Sequence, residues 1–167
     1  MKDFKSFLKE DNKIGFGDYA LFDNDNKSNF WGNSGSGVLP ICKKTGKILV
    51  GLRSKYVNEP NTWNGFGGKI DNEEDPKCAA KREFEEETKY HGNIQMVNAF
   101  VFKTKGFVYY NYIGLISNEF KPENSWETES TKWITFDELM KLKDKHYGLE
   151  SLLKDPETLN LIKKYSK

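Results

Sequence analysis

Acidic side chains are concentrated in residues 82–87, which read REFEEE. On a helix, Glu83, Glu86 and Glu87 would fall within about 100° of one another on one face, and Glu85 would point elsewhere. Like charges at these spacings cost roughly 0.2–0.5 kcal/mol per pair, so either the face is fully solvated or a cation offsets the repulsion. Carboxylates, water and substrate phosphates are the ligands that Mg²⁺ prefers. The stretch therefore predicts a divalent-metal site, with a merely solvated face as the alternative.

The segment GFGGKID precedes this acidic stretch and adds a feature typical of phosphate chemistry. Gly65, Gly67 and Gly68 allow the backbone to approach a ligand closely. Glycines that lead into a helix N-terminus often cradle anionic groups. The glycines alone are a weak indicator, but at a fixed distance from the acidic cluster they favour a phosphate-binding site.

The combined pattern resembles the Nudix box, G-x5-E-x7-R-E-U-x-E-E-x-G-U, in which U is a bulky apolar residue. Tyr90 is acceptable at the last U, whereas Lys89 stands where the family has its final glycine. That glycine lies near the helix end, where a left-handed cap is favoured, so Gly92 is the alternative end of the helix. The matching positions are Gly68, Glu74, Arg82, Glu83, Phe84, Glu86 and Glu87.

The resemblance implies an α/β fold, the Nudix-type α/β/α sandwich with a mixed β-sheet between helices. We expect this domain to occupy residues 36–167, with the box at 68–90. Residues 1–35 are not covered by the resemblance and are expected to be an N-terminal extension. A short helix, an edge strand at YALF and base stacking or anchoring by Phe30 and Trp31 are the interpretations of that extension.

Apolar patterns predict the other elements of the domain. The segments GVLPIC and ILVGLRS form a hairpin that turns at Gly46, and a second hairpin turns at Lys105-Gly106. Asp75 is a natural N-cap for a helix over 75–90. STKWITF reads as a strand and FDELMKL as a helix. One or two amphipathic C-terminal helices would bury Leu149, Leu152, Leu153, Leu159, Leu161 and Ile162.

Carried over by position, the resemblance implies metal-dependent hydrolysis of a phosphoanhydride. Mg²⁺, or alternatively Mn²⁺, would neutralise phosphate oxygens and position an attacking water. Arg82 would hold a box glutamate through a salt bridge, and Glu74 would orient rather than bind metal. The implied metal ligands are Gly68, Glu83, Glu86 and Glu87.

A carboxylate must also accept the proton of the attacking water. Glu86 and Glu87 are the closest candidates within the box. Family members often use an acid from a loop outside the box, and NSWETESTKW supplies Glu127 and Glu129. Glu127 is slightly favoured by its distance to Trp133. Both of these acids are equally interpretable as exposed loop residues.

The segment TWNGFGGK looks like the one in MutT-like enzymes that hydrolyse oxidised purine nucleotides. By that resemblance Asn64 would contact the base, although Asn-Gly is also a common turn dipeptide. Arg53, just before this loop, suits a phosphate because its guanidinium forms paired hydrogen bonds, or it is simply exposed. Lys69 is a further substrate-binding candidate.

The first interpretation of the activity is hydrolysis of a nucleoside triphosphate, including an oxidised or non-standard purine, to the monophosphate and pyrophosphate. The alternatives within the family are ADP-ribose, a dinucleoside polyphosphate, a nucleotide sugar, NADH and an RNA 5′ end. A non-catalytic nucleotide-binding module is the alternative of another class, and it would predict broken box carboxylates. Which substrate and which base the protein uses stay open.

Composition limits which binding partners and which cellular compartment are expected for this protein. The 167 residues carry a formal net charge of +1, which argues mildly against long RNA as a partner. Cys42 and Cys78 lack metal-ligand spacing, so reduced thiols in the cytoplasm are expected. No stretch resembles a signal peptide or a membrane span. A small nucleotide is the expected partner, and a homodimer stays possible.

Overall fold

The structure is a computed structural model that describes residues 33–104 and 106–167. The helix and edge strand expected in the N-terminal extension lie outside these residues. Phe30, Trp31 and Lys105 lie outside them as well.

One mixed sheet of seven strands forms the centre of the described chain, in the order β3-β2-β1-β6-β5. β1 and β6 run parallel, and the other pairings are antiparallel. β4 also pairs with β1, and β7 pairs with β2. The strands are β1 (Ser34–Cys42), β2 (Ile48–Arg53), β3 (Trp63–Asn64), β4 (Phe66–Lys69), β5 (Gln95–Thr104), β6 (Phe107–Ile116) and β7 (Thr128–Ile134).

Helices cover both faces of this sheet, and alternation along β1 divides the core between them. Val38 joins the cluster that packs against Ala80 and Phe84, whereas Leu39 and Ile41 join the opposite cluster. The expected α/β/α sandwich is therefore confirmed. Within the described residues, no helix is long and apolar enough to cross a bilayer. The helices are α1 (Pro76–Thr88), α2 (Phe136–Lys141), α3 (Tyr147–Lys154) and α4 (Pro156–Tyr165).

Helix α1 carries the acidic stretch, and its ends are set by specific caps. The Asp75 side chain accepts hydrogen bonds from the backbone N–H groups of Lys77 and Cys78, as expected of an N-cap. At the other end, Lys89 adopts the left-handed conformation, with φ 58°, and its N–H donates to the Glu85 carbonyl. The alternative of Gly92 as the helix end is wrong, because Lys89 itself takes the position that glycine usually fills.

The glycine-rich segment is also more regular than the sequence indicated. We expected a loop before the box, but Trp63–Asn64 and Phe66–Lys69 form β3 and β4. β4 pairs with residues 35–38 of β1, which brings Gly67 opposite Gly37. Pairing with a central strand thus fixes the backbone that leads into the box.

The other predicted strands and helices of the domain are present, with small shifts of their bounds. Gly46 adopts φ 68° in the first hairpin, and β5 and β6 form the second. β7 begins at Thr128, two residues before the predicted strand. The C-terminal segment forms two helices, since Asp155 ends α3 and caps α4. Of the expected apolar stripe, Leu159 and Leu161 are half-buried and the other four residues are buried.

Candidate active site

Glu87 is fixed by hydrogen bonds from two other elements. Its Oε1 accepts from the Gly67 N–H on β4 at 2.9 Å, and its Oε2 accepts from the Thr128 hydroxyl on β7 at 3.1 Å. Burial of the carboxyl group raises the pKa of Glu87 to about 8, and the nearby Glu127 and Glu83 act in the same direction. Both carboxylate oxygens are therefore held in place, in an environment that disfavours their negative charge.

Arg82 connects the start of the box to its helix. Its Nε and Nη2 donate to the two oxygens of Glu74 at 3.0 and 2.9 Å, which is a bidentate pair. Nη2 also donates to the Lys69 carbonyl at 2.9 Å. The hydrogen bonds from Arg82 hold the pKa of Glu74 below its usual value. Glu74 thus orients Arg82, which agrees with the role that the sequence predicted for it.

Glu83 lies against the backbone of Gly68. A side-chain carbon added at Gly68 would stand 2.6 Å from Glu83 Oε2, so glycine is required for this close approach. Arg82 Nη1 donates to Glu83 Oε1 at 2.8 Å. Burial nevertheless raises the pKa of Glu83 more than this hydrogen bond lowers it. Arg82 therefore positions the Glu83 carboxylate, but it does not fully offset the free-energy cost of burying its negative charge.

Glu86 is the most exposed of the three box carboxylates on this face, with 60% of its side chain accessible. Its Oε1 lies 3.6 Å from Nη1 of Arg82, which is four residues earlier on the same helix. Glu85 points elsewhere, as expected, and pairs with Lys81 at 3.8 Å.

The structure places Glu127 and Glu129, the two candidate acids outside the box, in different surroundings. Glu127 is half-buried just before β7, and its carbonyl accepts from the Ser54 N–H at 2.8 Å. Burial raises the pKa of Glu127, with Glu86 acting in the same direction and Arg53 against it. Glu129 is exposed.

Four carboxylates thus lie in one electrostatic neighbourhood: Glu83, Glu86, Glu87 and Glu127. Repulsion between these carboxylates raises the free energy needed to ionise them. A divalent cation bound among them would instead stabilise the ionised forms. Among the residues that the structure describes, no group of three or more Asp, Glu, His or Cys side chains has an arrangement that could hold a metal ion by itself. The oxygen donors of these carboxylates nonetheless fit Mg²⁺, which usually keeps several water ligands.

An open pocket, of about 350 Å³ including the solvent-filled space at its mouth, adjoins this acidic site. Asn64 lines it, whereas Arg53 and Lys69 are not among its lining residues. Two polar residues of β6 that sequence reasoning missed, Tyr109 and Asn111, also line it. The full lining is Gly37, Val38, Leu39, Asn64, Gly65, Phe66, Tyr109, Asn111, Tyr112, Gly148, Leu149 and Leu152.

Tyr109 lies between the cavity and the acidic site. A side-chain carbon on Gly67 would stand 2.5 Å from the Tyr109 hydroxyl, and Gly67 is the residue that binds Glu87. Burial raises the pKa of Tyr109, and the charge of Glu87 adds to the increase. The signal that could have found Tyr109 is the period of two in FVYYNYIGLI, which places residues 109 and 111 on one face.

Arg53 and Lys69 occupy different positions relative to these groups. Arg53 Nε donates to the Asn58 carbonyl at 2.8 Å, and its charge acts on Glu127 and Tyr109. The Lys69 side chain is exposed at the end of β4. The geometry therefore groups Arg53, rather than Lys69, with Glu127.

Comparison with known proteins assigns the architecture to a family. The sequence model of the NUDIX domain matches residues 33–155. The chain belongs to the Nudix hydrolase family. No curated protein sequence matched it.

Solved structures share the fold of this Nudix domain at low sequence identity. RenU, a Nudix hydrolase from M. smegmatis, is 18% identical with a TM-score of 0.64, covering 84% of this chain and 90% of its own. A MutT protein from Methanosarcina mazei Go1 is 19% identical (TM-score 0.57, coverage 81% and 95%). An Ap4A hydrolase from C. elegans is 21% identical (TM-score 0.58, coverage 79% and 95%). At these identities the likeness concerns the fold.

Proposed function

We propose that this Nudix domain hydrolyses a nucleoside triphosphate to the monophosphate and pyrophosphate, with Mg²⁺ or Mn²⁺ as cofactor. The observation that carries the proposal is the four-carboxylate site beside an apolar cavity. Strand β4 joins the two, since Phe66 lines the cavity and the next residue, Gly67, holds Glu87. A base in the cavity would thereby direct its phosphates toward the carboxylates.

Glu83, Glu86 and Glu87, with the Gly68 carbonyl, are the groups that would hold the metal. When bound, the ion would neutralise phosphate oxygens and lower the pKa of water. Arg82 keeps Glu83 against Gly68, while Gly67 and Thr128 keep Glu87 in one orientation. Fixed ligands of this kind reduce the rearrangement needed during the reaction. Glu86, which is the most exposed of the three glutamates, completes the set.

We assign the proton acceptor to Glu127. Glu87 is assigned to the metal, whereas Glu127 is outside the ligand set and is half-buried with a raised pKa. A pKa raised toward the working pH favours a general base. Arg53, whose charge acts on Glu127, is placed to bind a phosphate on the same side. Lys69 would act only on the outer phosphates, and Glu129 has no proposed role.

The cavity supplies the groups that would bind a base. The aromatic ring of Tyr109 is a surface on which a base can stack. Asn64 offers both a donor and an acceptor to the base edge. These contacts suit a purine, including an oxidised or non-standard one.

One observation favours a second candidate, a substrate with another large group beyond the phosphates, such as a dinucleoside polyphosphate. Trp126 is 64% exposed and directly precedes Glu127, and Tyr56 is 71% exposed on the loop after β2. The bond from Ser54 to Glu127 links these two loops. Exposed aromatic rings beside a phosphate site can stack on a second base.

A nucleotide panel with products identified by mass spectrometry tests the proposal. The panel contains nucleoside triphosphates, ADP-ribose, dinucleoside polyphosphates, NADH and a 5′-triphosphorylated RNA, each with Mg²⁺ and with EDTA. We expect Mg²⁺-dependent formation of monophosphate and pyrophosphate. Glu86→Gln should lose most of this activity, whereas Glu85→Gln, on another face of the same helix, should keep it. Equal turnover by the wild type and Glu86→Gln would refute the proposed enzymatic activity. The alternative, a non-catalytic nucleotide-binding module, would then be favoured.

A further inference from the structure

We propose that Asn111 recognises an exocyclic amino group of a purine bound in the cavity. The inference rests on the proposed function in one respect, namely that the ligand is a nucleotide. It goes further by naming the residue that selects the base and the chemical group that it selects.

The orientation of the Asn111 amide is fixed by a backbone carbonyl. Asn111 pairs with Phe100 where β5 and β6 shift register, between Asn98 and Phe100. Its Nδ2 donates to the Phe100 carbonyl at 3.2 Å. A carbonyl oxygen only accepts hydrogen bonds, so the NH₂ group must face Phe100 and Oδ1 must be directed away from it.

No residue in the described part of the chain donates a hydrogen bond to the Oδ1 atom of Asn111. Within residues 33–104 and 106–167, the bond to Phe100 is the one hydrogen bond of this side chain. The residue is half-buried and lines the cavity. A partly buried acceptor that is left unsatisfied costs free energy, so a ligand that donates a hydrogen bond there is favoured.

The surroundings of Oδ1 define which ligand group fits. Besides Asn111 itself, Asn64, Tyr109 and Tyr112 are the lining residues with polar side-chain groups, and the other lining residues are apolar or glycine. An amino group on the base would donate to Oδ1. A keto oxygen at the same place would face it with a second acceptor and be repelled. Sites built around such a hydrogen bond discriminate strongly against analogues that lack the donor.

Binding of three monophosphates to the wild-type chain tests this inference directly. AMP and IMP differ at the purine 6-position, where AMP has an amino group and IMP a keto oxygen, and GMP and IMP differ by the 2-amino group. Isothermal titration calorimetry in EDTA measures binding without turnover. We expect AMP or GMP to bind roughly tenfold more tightly than IMP, and the pair that differs identifies which amino group is read. IMP binding as tightly as both would overturn the inference.

Matched variants assign the preference to the side chain. Asn111→Leu, of similar size but without the acceptor, should bind IMP and the preferred nucleotide equally. Asn98→Leu makes the same change at an exposed position on the neighbouring strand and should keep the wild-type preference. A preference that persists in Asn111→Leu would overturn the inference. If that variant does not fold, the wild-type comparison still decides.

The two proposals fail in different ways. Hydrolysis of nucleotides without a preference between IMP and the amino-bearing bases would remove the role of Asn111 and leave the activity. A preference in binding without any hydrolysis would remove the activity and leave the role of Asn111. An absence of binding by all three monophosphates would count against the role of Asn111.

Discussion

The hydroxyl of Thr128 donates to Glu87 Oε2 at 3.1 Å, although the two residues are 41 positions apart in the sequence. Thr128 is the first residue of β7, and Glu87 lies in the last turn of α1. Through this bond, the edge of the sheet orients a box carboxylate. Residues that orient metal-binding groups typically change metal affinity or activity about 10–100-fold when they are mutated.

Thr128→Val should therefore weaken the response to Mg²⁺. Valine keeps the shape of the side chain but cannot donate to Glu87. We expect the Mg²⁺ concentration that gives half-maximal activity to rise about tenfold. Thr131→Val, on the same strand, should leave it unchanged. A normal Mg²⁺ titration of Thr128→Val would show that Glu87 does not depend on this bond.

Arg82→Lys should reduce both stability and turnover. Lysine cannot form the bidentate pair with Glu74 while also donating to Glu83 and the Lys69 carbonyl. We expect the free energy of unfolding, measured in urea, to fall by about 1–2 kcal/mol, and kcat to fall about tenfold or more.

A control for Arg82→Lys is available at the preceding residue. Lys81→Met removes only an exposed pair with Glu85, and such pairs contribute about 0.2–0.5 kcal/mol. Its kcat should match that of the wild type. If Arg82→Lys behaves like this control, Arg82 does not organise the site.

The acidic face of α1 was predictable because it depends on local rules. Helical periodicity grouped Glu83, Glu86 and Glu87 on one face and directed Glu85 elsewhere. The N-cap at Asp75 followed from its residue type. Each of these features involves residues within one helix, so the sequence order alone determines their spacing.

The contributions of Thr128, Tyr109 and Asn111 were not predictable in the same way. Each depends on which strands pair and in which register, and these are long-range features of the sheet. The same limitation applied to β4, which resembled a loop until its pairing with β1 was known. Glu127 and Glu129 could not be separated from the sequence, because long-range pairing sets the start of β7, which leaves Glu127 half-buried before the strand and Glu129 exposed within it.

Lys89→Gly should stabilise the domain. Lys89 has φ 58°, and a residue with a side chain loses about 1–2 kcal/mol in this conformation, whereas glycine does not. The greater entropy that glycine loses on folding offsets about 0.5–1 kcal/mol of this gain. Both Lys89→Gly and Lys89→Ala lose the bond from Lys89 Nζ to the Glu86 carbonyl, so their comparison isolates the backbone.

We expect Lys89→Gly to unfold in urea with a free energy about 1 kcal/mol higher than that of Lys89→Ala. Turnover of the two variants should be equal, since Lys89 lies beyond the last box carboxylate. Equal stability of the two variants would mean that the backbone relaxes out of the left-handed conformation when alanine is present.

His146 should make the fold sensitive to acid. It is buried at the N-terminus of α3, where its Nδ1 accepts from the Gly148 N–H at 3.1 Å. Burial, assisted by the charge of Arg53, holds the pKa of His146 well below its usual value of 6.5. Below pH 6.5 the unfolded chain therefore binds a proton that the folded chain does not, and stability falls as the pH falls. Above pH 6.5 both states are neutral at this residue and the effect vanishes.

His146→Asn should remove this dependence, because asparagine offers an acceptor to Gly148 but does not titrate. Urea unfolding between pH 7.5 and pH 5 gives the measurement. Relative to the variant, the wild type should lose stability below pH 6.5 with a slope that approaches about 1.4 kcal/mol per pH unit. His91→Asn, which alters the other histidine at an exposed position, should follow the wild-type curve. Parallel curves for the wild type and His146→Asn would show that His146 binds a proton in the folded state.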